Sequence, residues 1–302
     1  MSTAESVIAA PSSFQKSTTD RLRPVPVPPW FRAGFRMAGA VAPGAAARLA
    51  QRLFFTPPRA PLRSAERAVL ARGERFELAA FGQSVVGHAW GEGPTLLLVH
   101  GWGGHSGQMT ALVAPAVAAG FRAVAIDLPG HGESAGGMSS LVHFAAALER
   151  AAALWKPVRG LVAHSFGAAA STYAMSRGLA ADRAVFFAPP VRFDSFWARF
   201  RAGVGVSDEV WRRLLRAAER WLGVSFDGIA PFDLAPRMTT PLLVLHDAND
   251  REMACDEGAE LVSRWPGAEL RRTEGLGHLR ILRDERCVAA AVRFLLGTPD
   301  PV

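Results

Sequence analysis

Ala163-His164-Ser165-Phe166-Gly167 is the stretch that decides the fold. A small residue stands two before a serine and a glycine two after it. The apolar run from Val158 to Val162, broken by Arg159 and Gly160, leads in, and the Ala-rich run from Ala168 to Met175 leads out. The pattern reads as a strand, a very tight turn and a helix, with a hydroxyl at the apex. Such a turn strains the serine backbone and leaves no room for large neighbours, so positions 163 and 167 must be small. The helix N-terminus behind Ser165 aims backbone N–H groups at whatever the serine attacks.

A serine hydroxyl is a weak nucleophile until a base takes its proton, and the base needs an acid to hold its tautomer. Both lie downstream, each after an apolar strand. Asp250 follows Pro241-Leu-Leu-Val-Leu-His246, and His278 follows the run Glu269 to Thr273 within Gly275-Leu-Gly-His278-Leu. Asp247, at the strand end itself, and Asp194, after the preceding strand, compete with Asp250 for the acid role. Asp250 is favoured because it lies farther out in its loop, where it can reach His278. Serine two residues before a glycine is by itself a weak signal; the order Ser, Asp, His with each after a strand makes it specific. His88, His105, His143 and His164 lack that strand-end setting and read as structural, with His164 turned toward the sheet or the strand beside it.

Two loops complete the pattern. Thr95-Leu-Leu-Leu-Val-His100-Gly101-Trp102-Gly103-Gly104 is a buried strand running into a Gly-rich loop whose backbone can approach an oxyanion. The Trp102 and Phe166 N–H groups are the expected donors. Ala123-Val-Ala-Ile-Asp127-Leu-Pro-Gly130-His-Gly-Glu-Ser134 is a strand followed by a Pro- and Gly-rich turn, in which Asp127 and His131 are expected to order the loop.

Together these residues resemble the α/β-hydrolase superfamily over about residues 76 to 297. The motifs are His100-Gly-Trp-Gly-Gly, Asp127-Leu-Pro-Gly-His-Gly-Glu-Ser, the Ser165 elbow, His246-Asp-Ala-Asn-Asp250 and Gly277-His278. Ala163 departs from the family, which most often has glycine there. The resemblance implies a serine esterase with the triad Ser165, Asp250 and His278, acting on a small or medium apolar ester through an acyl-enzyme, without metal or organic cofactor. Thioesterase, lactonase, C–C hydrolase, acyltransferase and cofactor-free haloperoxidase share the apparatus. A non-catalytic binding or scaffold protein is the alternative from another class. A serine at the elbow argues against haloalkane dehalogenases and epoxide hydrolases, which use aspartate there.

The chain has 302 residues, 49% of them hydrophobic, enough for one α/β domain with additions. No run of ~18 uncharged apolar residues predicts a membrane span. The first ten residues carry Glu5 and no basic residue, unlike the start of a signal peptide. Cys255 and Cys287 read as free thiols in a reducing cytoplasm. The net charge is +7, yet residues 1–75 hold twelve Lys or Arg against four Asp or Glu, while residues 76–302 are nearly balanced. The excess lies outside the catalytic segment, which argues against nucleic acid as partner. All but Lys16 and Lys156 of the basic residues are Arg, which reads as compositional bias.

Residues 1–29 read as a disordered Pro-rich tail. Residues 30–75 read as a basic N-terminal arm whose first part is split into two short helices by Pro43-Gly44. It either packs on the domain or, through residues 30–56, lies on an anionic membrane surface as a cationic amphipathic segment. Residues 76–297 form the catalytic domain. Strands are expected at 74–80, 84–90, 95–99, 122–126, 158–163, 183–188, 242–246 and 269–273. Helices are expected at 106–119, 141–154, 166–177, 254–264 and 284–296. Their alternation predicts an α/β fold with a mostly parallel eight-stranded sheet covered by helices on both faces. Its ligand edge is the carboxyl end of the strands. More than fifty residues separate the sixth and seventh strands, so a helical lid is expected at about 191–238. Its centre is a helix capped by Ser207 and ended by Gly223. The many aromatics there pack the lid, and some of them line an apolar acyl pocket.

Overall fold

Largely apolar runs of five to seven residues become the inner strands, because a strand covered on both faces needs apolar side chains at odd and even positions alike. The computed structural model describes residues 27–298; the expected tail falls, up to residue 26, outside the described residues. The strands are β1 (Glu74–Ala80), β2 (Gln83–Trp90), β3 (Thr95–Val99), β4 (Arg122–Ile126), β5 (Val158–His164), β6 (Arg183–Phe187), β7 (Leu242–Asp247) and β8 (Ala268–Thr273). They form one sheet in the order β1-β2-β4-β3-β5-β6-β7-β8. β1 and β2 pair antiparallel as a hairpin, β2 pairs antiparallel with β4, and every later pairing is parallel.

The helices are α1 (Pro29–Val41), α2 (Pro43–Phe55), α3 (Ser64–Leu70), α4 (Val113–Ala118), α5 (Leu141–Leu154), α6 (Phe166–Ser176), α7 (Asp194–Val204), α8 (Asp208–Leu222), α9 (Pro231–Leu234), α10 (Cys255–Arg264), α11 (Gly277–Arg280) and α12 (Glu285–Leu296). Alternation along each strand divides the core. Leu97, Val99, Leu161, Ala163 and Phe186 face α5, α6 and α10. Leu96, Leu98, Val162, Val185 and Phe187 face α4 and α12. The expected helix at 106–119 opens instead as a 3-10 stretch, Ser106–Leu112, before α4. Pro115 favours a helix start at 113, and Gly107 weakens the turn before it.

Between β6 and β7 lies a helical insertion containing α7, α8 and α9. The Ser207 side chain accepts from the Val210 N–H to cap α8, and Gly223 ends it in the left-handed conformation. A third apolar cluster joins this insertion to the N-terminal helices: Phe35, Ala46, Ala50 and Phe55 bury themselves against Val204, Trp211 and Leu214.

Candidate active site

Ser165 sits between β5 and α6 with φ +50° and ψ −126°, a conformation L-residues rarely adopt. Such a residue carries about 1–3 kcal/mol of strain and persists only where its surroundings fix it. Here the Ser165 N–H donates to the Phe187 carbonyl at 2.8 Å, and the Ser165 carbonyl accepts from the Ala168 N–H at 2.8 Å. The small neighbours are required by contact. A Cβ on Gly167 would lie 2.3 Å from the His100 carbonyl oxygen, and one on Gly101 would lie 3.0 Å from Ser165 Cβ. Ala163 is fully buried in the sheet, paired with Val99 and Phe186, so its methyl has room.

Asp250 lies beyond β7 in a loop that assigns its two oxygens different tasks. Oδ1 accepts from the backbone N–H groups of Glu252 (2.8 Å) and Met253 (3.0 Å). Oδ2 accepts from His278 Nδ1 at 2.7 Å. Burial pushes the Asp250 carboxyl up, but the imidazoles of His246 and His278 and the Met253 N–H outweigh it and hold it well below the usual carboxylate range. The side chain is fully buried. With Nδ1 donating, Nε2 of His278 is the nitrogen left to accept a proton. His278 is the second residue of α11, and its ring centroid stands 4.5 Å from that of His164, the residue before Ser165. The Ser165 hydroxyl caps no helix and makes no hydrogen bond among the described residues.

Neither rival aspartate makes a hydrogen bond or ion pair with His278. Fully buried Asp247 accepts from Thr273 Oγ1 (2.8 Å), the Leu276 N–H (2.9 Å) and the Asn249 N–H (3.0 Å), pinning the chain that leads to His278. Burial opposes its charge, yet donors led by the Gly277 and Leu276 N–H groups hold its carboxyl below the ordinary range. Asp194 is exposed in the first turn of α7.

The loop after β3 is locked from inside. His100 Nε2 accepts from the Leu128 N–H at 3.0 Å, which leaves the proton on Nδ1, 2.7 Å from the Gly101 carbonyl it donates to. Burial lowers this imidazole to about 3, so it stays neutral. The Trp102 ring packs edge-on against Phe166 at 5.3 Å, joining the two expected oxyanion donors. Asp127 accepts from the Ser106 N–H (2.6 Å) and the Glu133 N–H (2.7 Å), and His131 Nδ1 donates to the Pro129 carbonyl at 3.0 Å. Both order the loop around the site.

Three contacts were not read from the sequence. His164 Nε2 donates to the His278 carbonyl at 3.0 Å, tying the elbow to α11. The exposed Glu252 carboxylate comes within 3.9 Å of His278 Nε2. Cys255 places its sulfur 4.0 Å from the His246 carbonyl beside the Asp250 loop. Only the first had a signal: His164 immediately precedes the serine on a buried strand. Both cysteines are free thiols. Among the described residues no cluster of three or more His, Cys, Asp or Glu side chains is placed to hold a metal ion.

An apolar cavity of about 660 Å³ adjoins Trp102 and Phe166. Phe193, Phe196, Trp197 and Phe200 line it from the insertion. Other aromatics of the insertion do not: Phe232 is held between the Arg192 and Arg264 guanidinium groups, each 3.3 Å from its ring centroid. A second wall comes from α1 and α2, through Phe31 and Phe54, which the sequence reading placed outside the site.

Comparison with known proteins agrees with this architecture. The esterase Pf2001 of Pyrococcus furiosus superposes with a TM-score of 0.64 at 17% identity, over 81% of this chain and 98% of that one. The esterase RhEst1 of Rhodococcus sp. ECU1013 superposes with a TM-score of 0.57 at 18% identity, over 74% of this chain and 99% of that one. At such identities the likeness shows the fold. A short segment is similar in sequence to the pimeloyl-[acyl-carrier protein] methyl ester esterase of Methylococcus capsulatus, 50% identical over 44 residues. That segment covers 15% of this chain and 17% of that enzyme, so the match spans less than a fifth of the curated relative. The model of the alpha/beta hydrolase family matches residues 96–290, from β3 and its glycine loop through the elbow and the Asp250 loop into α12. With that match joined to the sheet order and the strained serine after β5, the chain belongs to the alpha/beta hydrolase family.

Proposed function

We propose that the protein is a serine hydrolase that cleaves a small or medium apolar carboxylic ester through an acyl-enzyme. The observation that carries this reading is the 2.7 Å bond from His278 Nδ1 to a buried carboxylate, beside a serine at φ +50° on a strand-to-helix turn. Ser165 Oγ attacks the ester carbonyl while His278 Nε2 takes its proton. Asp250 keeps the imidazole in the required tautomer and stabilises its charged form. The Trp102 and Phe166 N–H groups hold the oxyanion, and His278 returns the proton to the departing alkoxide. Water, deprotonated by the same imidazole, then frees the acid. Catalytic hydrogen bonds commonly tighten only as substrate settles, so the Ser165–His278 bond forms on binding.

The helices α7 to α9 act as a lid, and the aromatic cavity beneath them takes the apolar acyl group. The Methylococcus relative acts, by its name, on a methyl ester, which supports an ester over other acyl bonds. Two free thiols fit a cytoplasmic setting. Trp30, Met37 and Val41 on α1, with Leu49 and Leu53 on α2, are exposed beside Arg32, Arg36, Arg48 and Arg52. They support a peripheral contact of residues 30–56 with an anionic membrane. No helix among the described residues is long and apolar enough to cross one.

Ser165→Ala is expected to lower turnover of p-nitrophenyl esters by about a millionfold, with an unchanged circular dichroism spectrum and no labelling by a fluorophosphonate. Retained activity in that variant rejects Ser165 as nucleophile. Intact protein that neither labels nor hydrolyses any ester of a chain-length panel rejects the enzyme.

A further inference from the structure

The arginines that read as compositional bias are not evenly spread. Helices α2 and α8 enclose a second cavity, of about 690 Å³, lined by Arg48, Arg52, Arg213, Arg216 and Arg220 and by no acidic residue. Residues 48 and 52 are one turn apart on α2; 213, 216 and 220 follow one another along one face of α8. All five are exposed. The acids of α8 do not neutralise them as a set. Glu209 pairs with Arg213 (2.6 Å) and Arg212 (2.8 Å) at the helix start. Glu219 accepts from the Phe226 N–H at 3.0 Å and Ser225 Oγ at 3.1 Å. Arg48, Arg52, Arg216 and Arg220 make no ion pair with any described residue.

Like charges one turn apart repel, and here two such rows face a common space. A multiply charged anion between them removes the repulsion, and the planar guanidinium fork matches phosphate oxygens two at a time. Trp221 walls the groove and is fixed by Phe55, 5.3 Å away, and His143, 4.9 Å away. The floor is therefore rigid, and an indole lies at hand to report occupancy.

We propose that this groove binds a phosphoryl group carrying two or more negative charges, at a site separate from Ser165 and independent of the ester-hydrolase reading. The group is either part of a soluble phosphate compound or the headgroup of an anionic lipid. The test titrates the full chain with inorganic pyrophosphate, following Trp fluorescence and heat. A second arm uses vesicles of phosphatidylcholine with and without phosphatidic acid, read by co-sedimentation. Saturable pyrophosphate binding assigns the soluble form, and sedimentation only with phosphatidic acid assigns the lipid. Arg216→Gln with Arg220→Gln is expected to weaken the observed binding about tenfold or more. Arg286→Gln, at an exposed position of α12, leaves it unchanged. Hydrolysis of a short p-nitrophenyl ester stays at the parent rate in both variants and shows that they fold. Absence of binding in both arms overturns the proposal, as does equal affinity in the groove variant and the parent.

Discussion

Asp250 shows how one side chain is given a single direction of action. Its Oδ1 is held by two backbone N–H groups, so only Oδ2 faces His278. Asp250→Asn keeps the volume but can present an N–H to Nδ1, which favours the wrong imidazole tautomer. The expected result is a fall in kcat of about 10⁴-fold with little change in melting temperature, measured on the same p-nitrophenyl esters. A loss of less than tenfold would move the acid role to another residue. The sequence named Asp250 over Asp247 and Asp194 by reach alone. What it could not display is the work of Asp247, whose oxygens gather donors from three positions of the segment leading to His278. A buried carboxylate is stable as an anion only with such donors, and they come from residues 26 to 30 positions later in the chain.

At the scale of elements, the site is a joint between the β5–α6 elbow and the β3 loop. Gly167 brings the two within one Cβ radius: an added methyl would meet the His100 carbonyl oxygen at 2.3 Å and Val99 Cγ1 at 3.0 Å. The backbone there needs no positive φ, so Gly167→Ala acts by contact alone. It is expected to cost about 1–3 kcal/mol of stability and to reduce kcat by pushing the oxyanion donors from Ser165, as seen by thermal melting with steady-state kinetics. Near-parental kcat would show that the loop does not form the oxyanion hole. Most element bounds were legible, within a residue or two, because apolar runs and caps mark them locally: Ser207 and Gly223 bracket α8 in both readings. Helix α7 falls within the helical lid expected at about 191–238, but its own bounds were not legible: its apolar residues at 196, 197, 200 and 204 keep helical spacing, while Gly203 and Gly205 obscure its end. Helix α3 has only seven residues, too few for a clear period.

For the whole molecule, burial of imidazoles sets the response to acid. Burial holds His100 and His131 at about 3 and His143 at about 4, against an ordinary 6.5. The folded state therefore keeps them neutral where the unfolded chain protonates them. Their contribution is complete above pH 6.5 and is lost as pH falls toward 4. Each costs roughly 1–2 kcal/mol by pH 5. Melting curves from pH 7.5 to 4.5 should show a steep decline, shallower in His131→Phe, whose ring sits between Trp102 and Phe144 with a buried, unpartnered Nε2. Equal slopes for variant and parent would mean that this imidazole is protonated in the fold. The sequence by itself determined the alternation of strand and helix, the strained serine, and the order in which Ser165, Asp250 and His278 each follow a strand, because periodicity, caps and small residues around a tight turn are properties of neighbours along the chain. Only the tertiary structure decided which aromatics wall the cavity, that α1 and α2 close it, and that five arginines from distant segments share one groove. Those depend on which helix faces meet, and that is fixed when apolar stripes far apart in sequence find a common core.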